Sequence, residues 1–242
     1  MLQGLKRWFS SRTSPAPEWP ELVAWAESRQ FAFRGVRDAE GFVVEGRLGA
    51  QPWRLEWGPP QRSYVKGAEL RLRAEMALPS ELQVLVLNRR LQEEMERAVF
   101  DQYVEGVQTR IDNQTPPEMR WIVMFPKLAG SELGALRERF AALANAKPWL
   151  VSWLEGPLAT ALGATRLPPE SPVVLMVARG RLTLRLALPS PDLREIETAL
   201  RLFETAMRES RRAASAGTEV DSPSTQPSLW SASAMSPDAR PE

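Results

Sequence analysis

The chain has no cysteine, no histidine, only two tyrosines and four lysines, and no long uninterrupted apolar run. Each absence closes off chemistry. Without histidine there is no Ser-His-Asp triad, no imidazole base working near neutral pH and no histidine-ligated metal. Without cysteine there is no thiolate nucleophile, thiolate-bound zinc, iron–sulfur cluster or disulfide. No segment approaches the roughly 18 consecutive apolar residues of a membrane span. Glycine-rich phosphate loops, GxSxG elbows and calcium loops are missing as well. What stays open is carboxylate, lysine, tyrosine or serine chemistry, a hard metal held by oxygen, or a binding role without catalysis. The residues therefore point to no catalytic side chain, no cofactor and no metal.

The 242 residues, 43% of them hydrophobic, are ample for a buried core. Their net charge of +1 hides an uneven distribution. Residues 1–17 carry Lys6, Arg7 and Arg12 without an acid, whereas 214–242 carry Glu219, Asp221, Asp238 and Glu242 against Arg240. The middle is close to neutral, which is no footprint for bulk phosphate binding and speaks against nucleic acid as the main partner. Arginine outnumbers lysine 27 to 4 among abundant Ala, Leu and Pro, a composition associated with GC-rich bacterial genomes. Leu2, Leu5, Trp8 and Phe9 beside Lys6 and Arg7 form a basic-aromatic segment without the apolar stretch of a secretory signal, so a cytoplasmic location is expected. Residues 1–12 have the make-up of a membrane-surface or groove contact, and equally that of a frayed terminus. The Ser/Pro-rich stretch from 214 onward reads as a disordered tail, with Leu229, Trp230 and Met235 as a candidate linear motif. The organisation expected is a flexible segment and linker over 1–17, one α+β globular domain over 18–213, and a tail over 214–242.

Period-two alternation dominates the first half of that domain. Phe31 and Phe33, then Phe42 to Leu48, Trp53 to Trp57 and Leu70 to Met76 alternate apolar with polar residues, punctuated by Gly41, Gly49 and Gly58-Pro59-Pro60. A helix from Pro20 to about Arg29 precedes them. Ser80 with Gln83 reads as a capping box for a long helix to about Tyr103, because Leu82, Leu85, Val86, Met95 and Val99 carry helical spacing. Thr115-Pro116-Pro117-Glu118 reads as a second capping box for a helix ending before Pro126. Ser131–Asn145 and Pro148–Gly163 read as a helical hairpin. Val173–Ala178, Arg179-Gly180 and the alternating Leu182 to Leu188 make a β-hairpin, and Ser190-Pro191-Asp192 caps a last amphipathic helix ending near Arg212. The fold class expected is α+β: an antiparallel sheet of about six strands packed by long amphipathic helices. Residues 71–80 and 181–190 share six of ten positions, ending in Leu-Pro-Ser, which fits a duplicated strand–turn–helix module as well as chance in a biased composition.

Three constellations stand out. The first is the Trp53–Arg73 segment, where Arg62, Tyr64, Lys66, Arg71 and Arg73 form a candidate interaction surface for a protein partner, since Trp, Tyr and Arg are enriched at binding hot spots. Its mixed charges also suit plain cross-strand pairs on a solvated sheet face. Interleaved aromatics and arginines there leave single-stranded nucleic-acid binding as an alternative. The second is Arg110, Asp112 and Arg120, a candidate polar ligand cluster for a small-ligand or carboxylate-dependent enzyme, or the tie of a long interhelical connection. The third, Ser63 and Lys66 in an SxxK spacing, leads into a strand, where the two side chains do not share a helix face. Most weight falls on a non-catalytic interaction or accessory protein.

Overall fold

The computed structural model describes residues 19–36, 40–104, 116–165, 168 and 170–220. Helix α1 (Pro20–Ser28) opens on proline, whose fixed φ suits a first helical turn, and buries Leu22, Trp25 and Ala26. Strands β1 (Ala32–Gly35), β2 (Phe42–Leu48), β3 (Gln51–Gly58) and β4 (Glu69–Glu75) follow as an antiparallel meander. Then come β5 (Val84–Asn88), α2 (Arg89–Val104), α3 (Pro117–Met124), the short α4 (Gly130–Leu133) with a 3₁₀ turn, and β6 (Phe140–Ala144). Helices α5 (Lys147–Leu154) and α6 (Pro157–Gly163), strands β7 (Val173–Ala178) and β8 (Arg181–Ala187), and the long α7 (Leu193–Val220) complete the order. All eight strands join one sheet in the order β1-β2-β3-β4-β8-β7-β5-β6, with every pairing antiparallel.

The α+β class and the antiparallel sheet stand as expected, but the sheet has eight strands and not about six. The two extra strands, β5 and β6, lie where helical spacing was expected. β5 runs between β6 and β7 and is buried at every position, as is β6. A strand buried on both faces has no polar side to alternate with, so its composition mimics a helix segment. Ser80 does not cap a helix there: its hydroxyl donates to Glu81, and the Gln83 N–H donates to Asn145 Oδ1 at 2.9 Å, tying the entry of β5 to the exit of β6. The helix proper starts at Arg89. The expected Pro148–Gly163 helix breaks into α5 and α6 at Gly156, whose φ of 69° lies in the left-handed region. Pro116 stands at the N-cap of α3 without a side-chain cap, and Thr115 lies outside the described residues.

At the last helix, the Asp192 carboxylate accepts the Glu195 N–H at 3.0 Å, as an N-cap should, and α7 continues past Arg212 to Val220. The tail beyond 220 and the segment 1–17 lie outside the described residues. The two similar decapeptides fall on β4 and β8, which are direct neighbours. After Leu-Pro-Ser, however, β4 leads into a strand and β8 into a helix, so no repeated strand–turn–helix module is present. The β7–β8 turn places both Arg179 (φ 52°) and Gly180 (φ 72°) in the left-handed region, the geometry of a tight two-residue hairpin.

The two faces of the sheet differ. One carries Phe42, Val44, Leu55, Leu72, Leu184 and Val86 under α1, α5, α6 and α7, where Leu150, Trp153, Phe203 and Met207 fill the main core. On the other, α2 and α3 cover only β5, β6 and β7, enclosing Leu85, Leu87, Leu143, Val174 and Met176 with Met95, Trp121 and Ile122. The half of that face formed by β2, β3, β4 and β8 is charged.

Candidate interaction surface

Register places the charges of this half-face in rows. Glu45, Arg54, Arg73 and Thr183 lie opposite one another across β2, β3, β4 and β8, and Glu56, Arg71 and Arg185 form the next row. Cross-strand neighbours of opposite sign then link into a continuous chain. Glu45 accepts from Arg34 at 3.0 Å and from Arg54 at 2.8 Å. Glu56 accepts from Arg54 and Arg73, each at 2.5 Å, and from Arg71. Arg71 lies 3.6 Å from Glu69, which also takes the Arg185 guanidinium and, at 2.6 Å, the Gln61 N–H. Arg185 in turn approaches Glu118 of α3 at 3.9 Å.

The chain of pairs passes from solvent into the protein. Glu69 and Glu118 have fully buried side chains, and Arg71 and Arg185 are only 9% exposed. A buried guanidinium is tolerated because two carboxylates flank it, and removing either one leaves a charge uncompensated. Burial pushes the Glu56 carboxyl up, but hydrogen bonds from Arg71 and Arg54 and the charges of Arg71 and Arg73 outweigh it and hold it at about 2.

Among the candidate residues, Arg62 and Tyr64 are brought together on Glu118, with Arg62 Nε and the Tyr64 hydroxyl each donating to Oε1 at 3.0 Å. Burial opposes the Arg62 cation, and the neighbouring Glu118 charge and hydrogen bond overcome it to raise its pKa. Burial, and then the same carboxylate, push the Tyr64 phenol above its ordinary value. Arg71 and Arg73 stand in the pair lattice. Lys66 is exposed and makes no ion pair among the described residues. The Arg110–Asp112–Arg120 cluster is not assembled among the described residues: Arg110 and Asp112 lie outside them, and Arg120 is half-buried on α3 with an unpartnered Nε. The tryptophans of the Trp53–Arg73 segment are on the opposite face. Trp53 is 2% exposed, edge-on to Phe31 at 4.8 Å, and Trp57 donates its indole N–H to Leu188 O at 2.8 Å. The base-stacking reading needs these rings beside the arginines, and the sheet separates them.

Sequence reasoning missed Arg185 and the role of Glu118. Arg185 follows Arg181 and Thr183 on the polar side of the β8 alternation, which is a readable signal. Glu118 arrives from a helix some fifty residues along the chain and leaves none.

At the solvent end of the lattice the sheet forms an open cavity of about 850 Å³ whose lining includes Arg29, Arg47, Arg54, Arg73 and Arg181 against Glu45 and Glu75. Arg181 pairs with Glu75 at 2.5 Å, whereas Arg47, among the described residues, donates only to the Ala50 carbonyl, at 3.3 Å. Among the described residues there is no group of three or more acidic side chains placed to hold a metal, and no helix long and apolar enough to cross a membrane.

No family model and no curated protein matches the chain. Among solved structures it is similar to the crystal structure of the mycobacterial trehalose monomycolate transport factor A, TtfA, with a TM-score of 0.45 and 12% identity over 78% of this chain and 91% of that one.

Proposed function

We propose that this chain is a non-catalytic interaction protein that receives an acidic segment of a protein partner on the charged half of its sheet. The observation that carries this reading is the open cavity with five arginines against two glutamates. Two of those arginines, Arg54 and Arg73, are held by Glu56 and Glu45, so they lose little side-chain freedom when a partner arrives. Arg29, Arg54, Arg73 and Arg181 have carboxylate partners in Glu197, Glu45, Glu56 and Glu75. The charge that attracts an acidic partner is therefore chiefly that of Arg47, which has no such partner among the described residues.

The test uses the full chain and a labelled oligoglutamate peptide in a fluorescence anisotropy titration. Binding should appear at low salt and weaken as salt rises. Arg47→Glu, on an exposed side chain outside the lattice, should weaken it several-fold, while Lys66→Glu, on a loop away from the cavity, should not. No binding at low salt, or equal binding by Arg47→Glu, overturns the proposal.

A further inference from the structure

A second cavity, of about 490 Å³, lies where β5 hands over to α2, and shares no residue with the first. Its charged lining is Arg89, Arg90, Arg97 and Arg139 against Glu93 and Glu138. Two of the arginines are engaged along α2 itself: Arg90 pairs with Glu94 at 3.2 Å, and Arg97 donates to the Glu93 carbonyl. The other two are fixed without being neutralised. Arg89 donates Nε to Arg137 O at 2.7 Å and Nη2 to Phe140 O at 3.5 Å. Arg139 donates Nη1 to Gly163 O at 2.7 Å and Nη2 to Thr165 O at 2.6 Å, with its guanidinium 5.5 Å above the Phe140 ring. Carbonyls orient a guanidinium but leave its charge in place, and neither arginine has a carboxylate partner among the described residues.

The local sequence adds to the positive field. Helix α2 begins Arg89-Arg90 and has no acid in its first turn, so two cations sit at the positive end of the helix dipole. Glu94 compensates Arg90, and Arg89 is left without a carboxylate partner among the described residues.

We propose that this cavity binds a small molecule through a phosphate group held between Arg89 and Arg139. Among the described residues Arg89 keeps its Nη1 free to donate to a phosphate oxygen. The terminal nitrogens of exposed Arg139 are taken up by Gly163 and Thr165, so Arg139 contributes its charge. Two positive charges match the dianion, which a single carboxylate does not. The volume exceeds that of a bare phosphate and lies within the range of small-ligand pockets.

The test is a titration of the full chain with inorganic phosphate, phenyl phosphate and glutarate at ionic strength held constant with chloride. It is read by calorimetry and by the broadening of the phosphorus resonance. Saturable binding of phenyl phosphate, with inorganic phosphate weaker and glutarate weaker still, is expected. Binding of inorganic phosphate alone would assign the site to the free ion. Arg89→Gln should weaken binding about tenfold or more, and Lys66→Gln, at an exposed cation that lines neither cavity, should leave it unchanged. Arg89→Lys, which keeps the charge and the fold but loses the fork, should fall between the wild type and Arg89→Gln. No binding up to about 10 mM, equal binding of glutarate, or binding that survives both Arg89 variants overturns the proposal. None of these variants touches the arginine cavity of the proposed interaction surface, so the two readings fail separately.

Discussion

Replacing Glu56 by glutamine tests whether the charged half-face is held together by its carboxylates. The substitution keeps the shape of the side chain and removes the charge that Arg54, Arg71 and Arg73 share. Arg54 and Arg73 have more than a third of their side chains in solvent, so they lose little, as surface pairs do. Arg71 is different. It is 9% exposed and would keep only Glu69, 3.6 Å away. The magnitude follows from the acidity of Glu56: holding a carboxyl at about 2 against its ordinary 4.5 corresponds to roughly 3 kcal/mol. Breaking one side of a buried pair, about 3–5 kcal/mol, gives the same scale. The sign is set by a folded pKa below the unfolded one. The contribution is complete above the unfolded value, is lost as pH falls from about 4.5 to about 2, and is gone below that. Urea unfolding of the wild type and Glu56→Gln between pH 7 and pH 2 reads it directly. The expected result is a gap of about 2–3 kcal/mol at pH 7 that closes in acid. A gap below about 0.5 kcal/mol at pH 7, or one that persists unchanged at pH 2, would show that the lattice is incidental.

Three further outcomes are expected. Gly46→Ala places a Cβ 2.3 and 2.7 Å from ring atoms of Trp53 and 2.8 Å from Phe31, so it should lower stability by about 1–3 kcal/mol in chemical denaturation; a neutral result would mean that the aromatic cluster is loosely packed. Trp153→Phe removes a fully buried indole whose N–H donates to Ala206 O at 3.0 Å, and the loss of volume and of that bond should cost about 2–4 kcal/mol by the same assay. Tyr64 is neutral in the folded chain beyond its ordinary pKa of 10, so ionisation in the unfolded chain should erode stability as pH rises above about 10. Tyr64→Phe should flatten that decline, and equal alkaline slopes for the two proteins would contradict the buried bond to Glu118.

How far the fold was legible follows from which strands have two unlike faces. β2, β3, β4 and β8 alternate because one side meets the core under α7 and the other carries Glu45, Arg54, Glu56, Arg71, Arg73 or Arg185. β7 has no such alternation, and it was readable through the Arg179-Gly180 turn that ties it to β8. β5 has neither signal: Val84 to Leu87 are buried on both sides and run straight into the helix at Arg89. The alanines of β6 favour a helix, and burial against β5 overrides them. The same logic divides the site. Its strand members are spaced two apart and could be grouped from sequence, whereas Glu118 joins them only because α3 packs Trp121 and Ile122 against the far half of the sheet.

That placement explains why charge begins where it does. Helices α2 and α3 cover β5, β6 and β7, so those strands are apolar on this face, and the next strand, β8, is the first without a helical roof. Arg185 stands on that border, with Glu69 of β4 on one side and Glu118 of α3 on the other. Glu118 is also where the connection after β3 is tied down, through Arg62 and Tyr64. One buried carboxylate therefore fixes a helix, a loop and a strand together, and its second oxygen has no hydrogen-bond partner among the described residues, so the junction is held from one side only. Through Arg185, Glu69, Arg71 and Glu56 the same carboxylate is joined by ion pairs to Arg54 and Arg73 at the arginine cavity. The position of α3 and the orientation of two of the cavity's arginines, Arg54 and Arg73, are thus joined by one connected network of ion pairs, whose worth is that of the whole chain of contacts and not of any single pair.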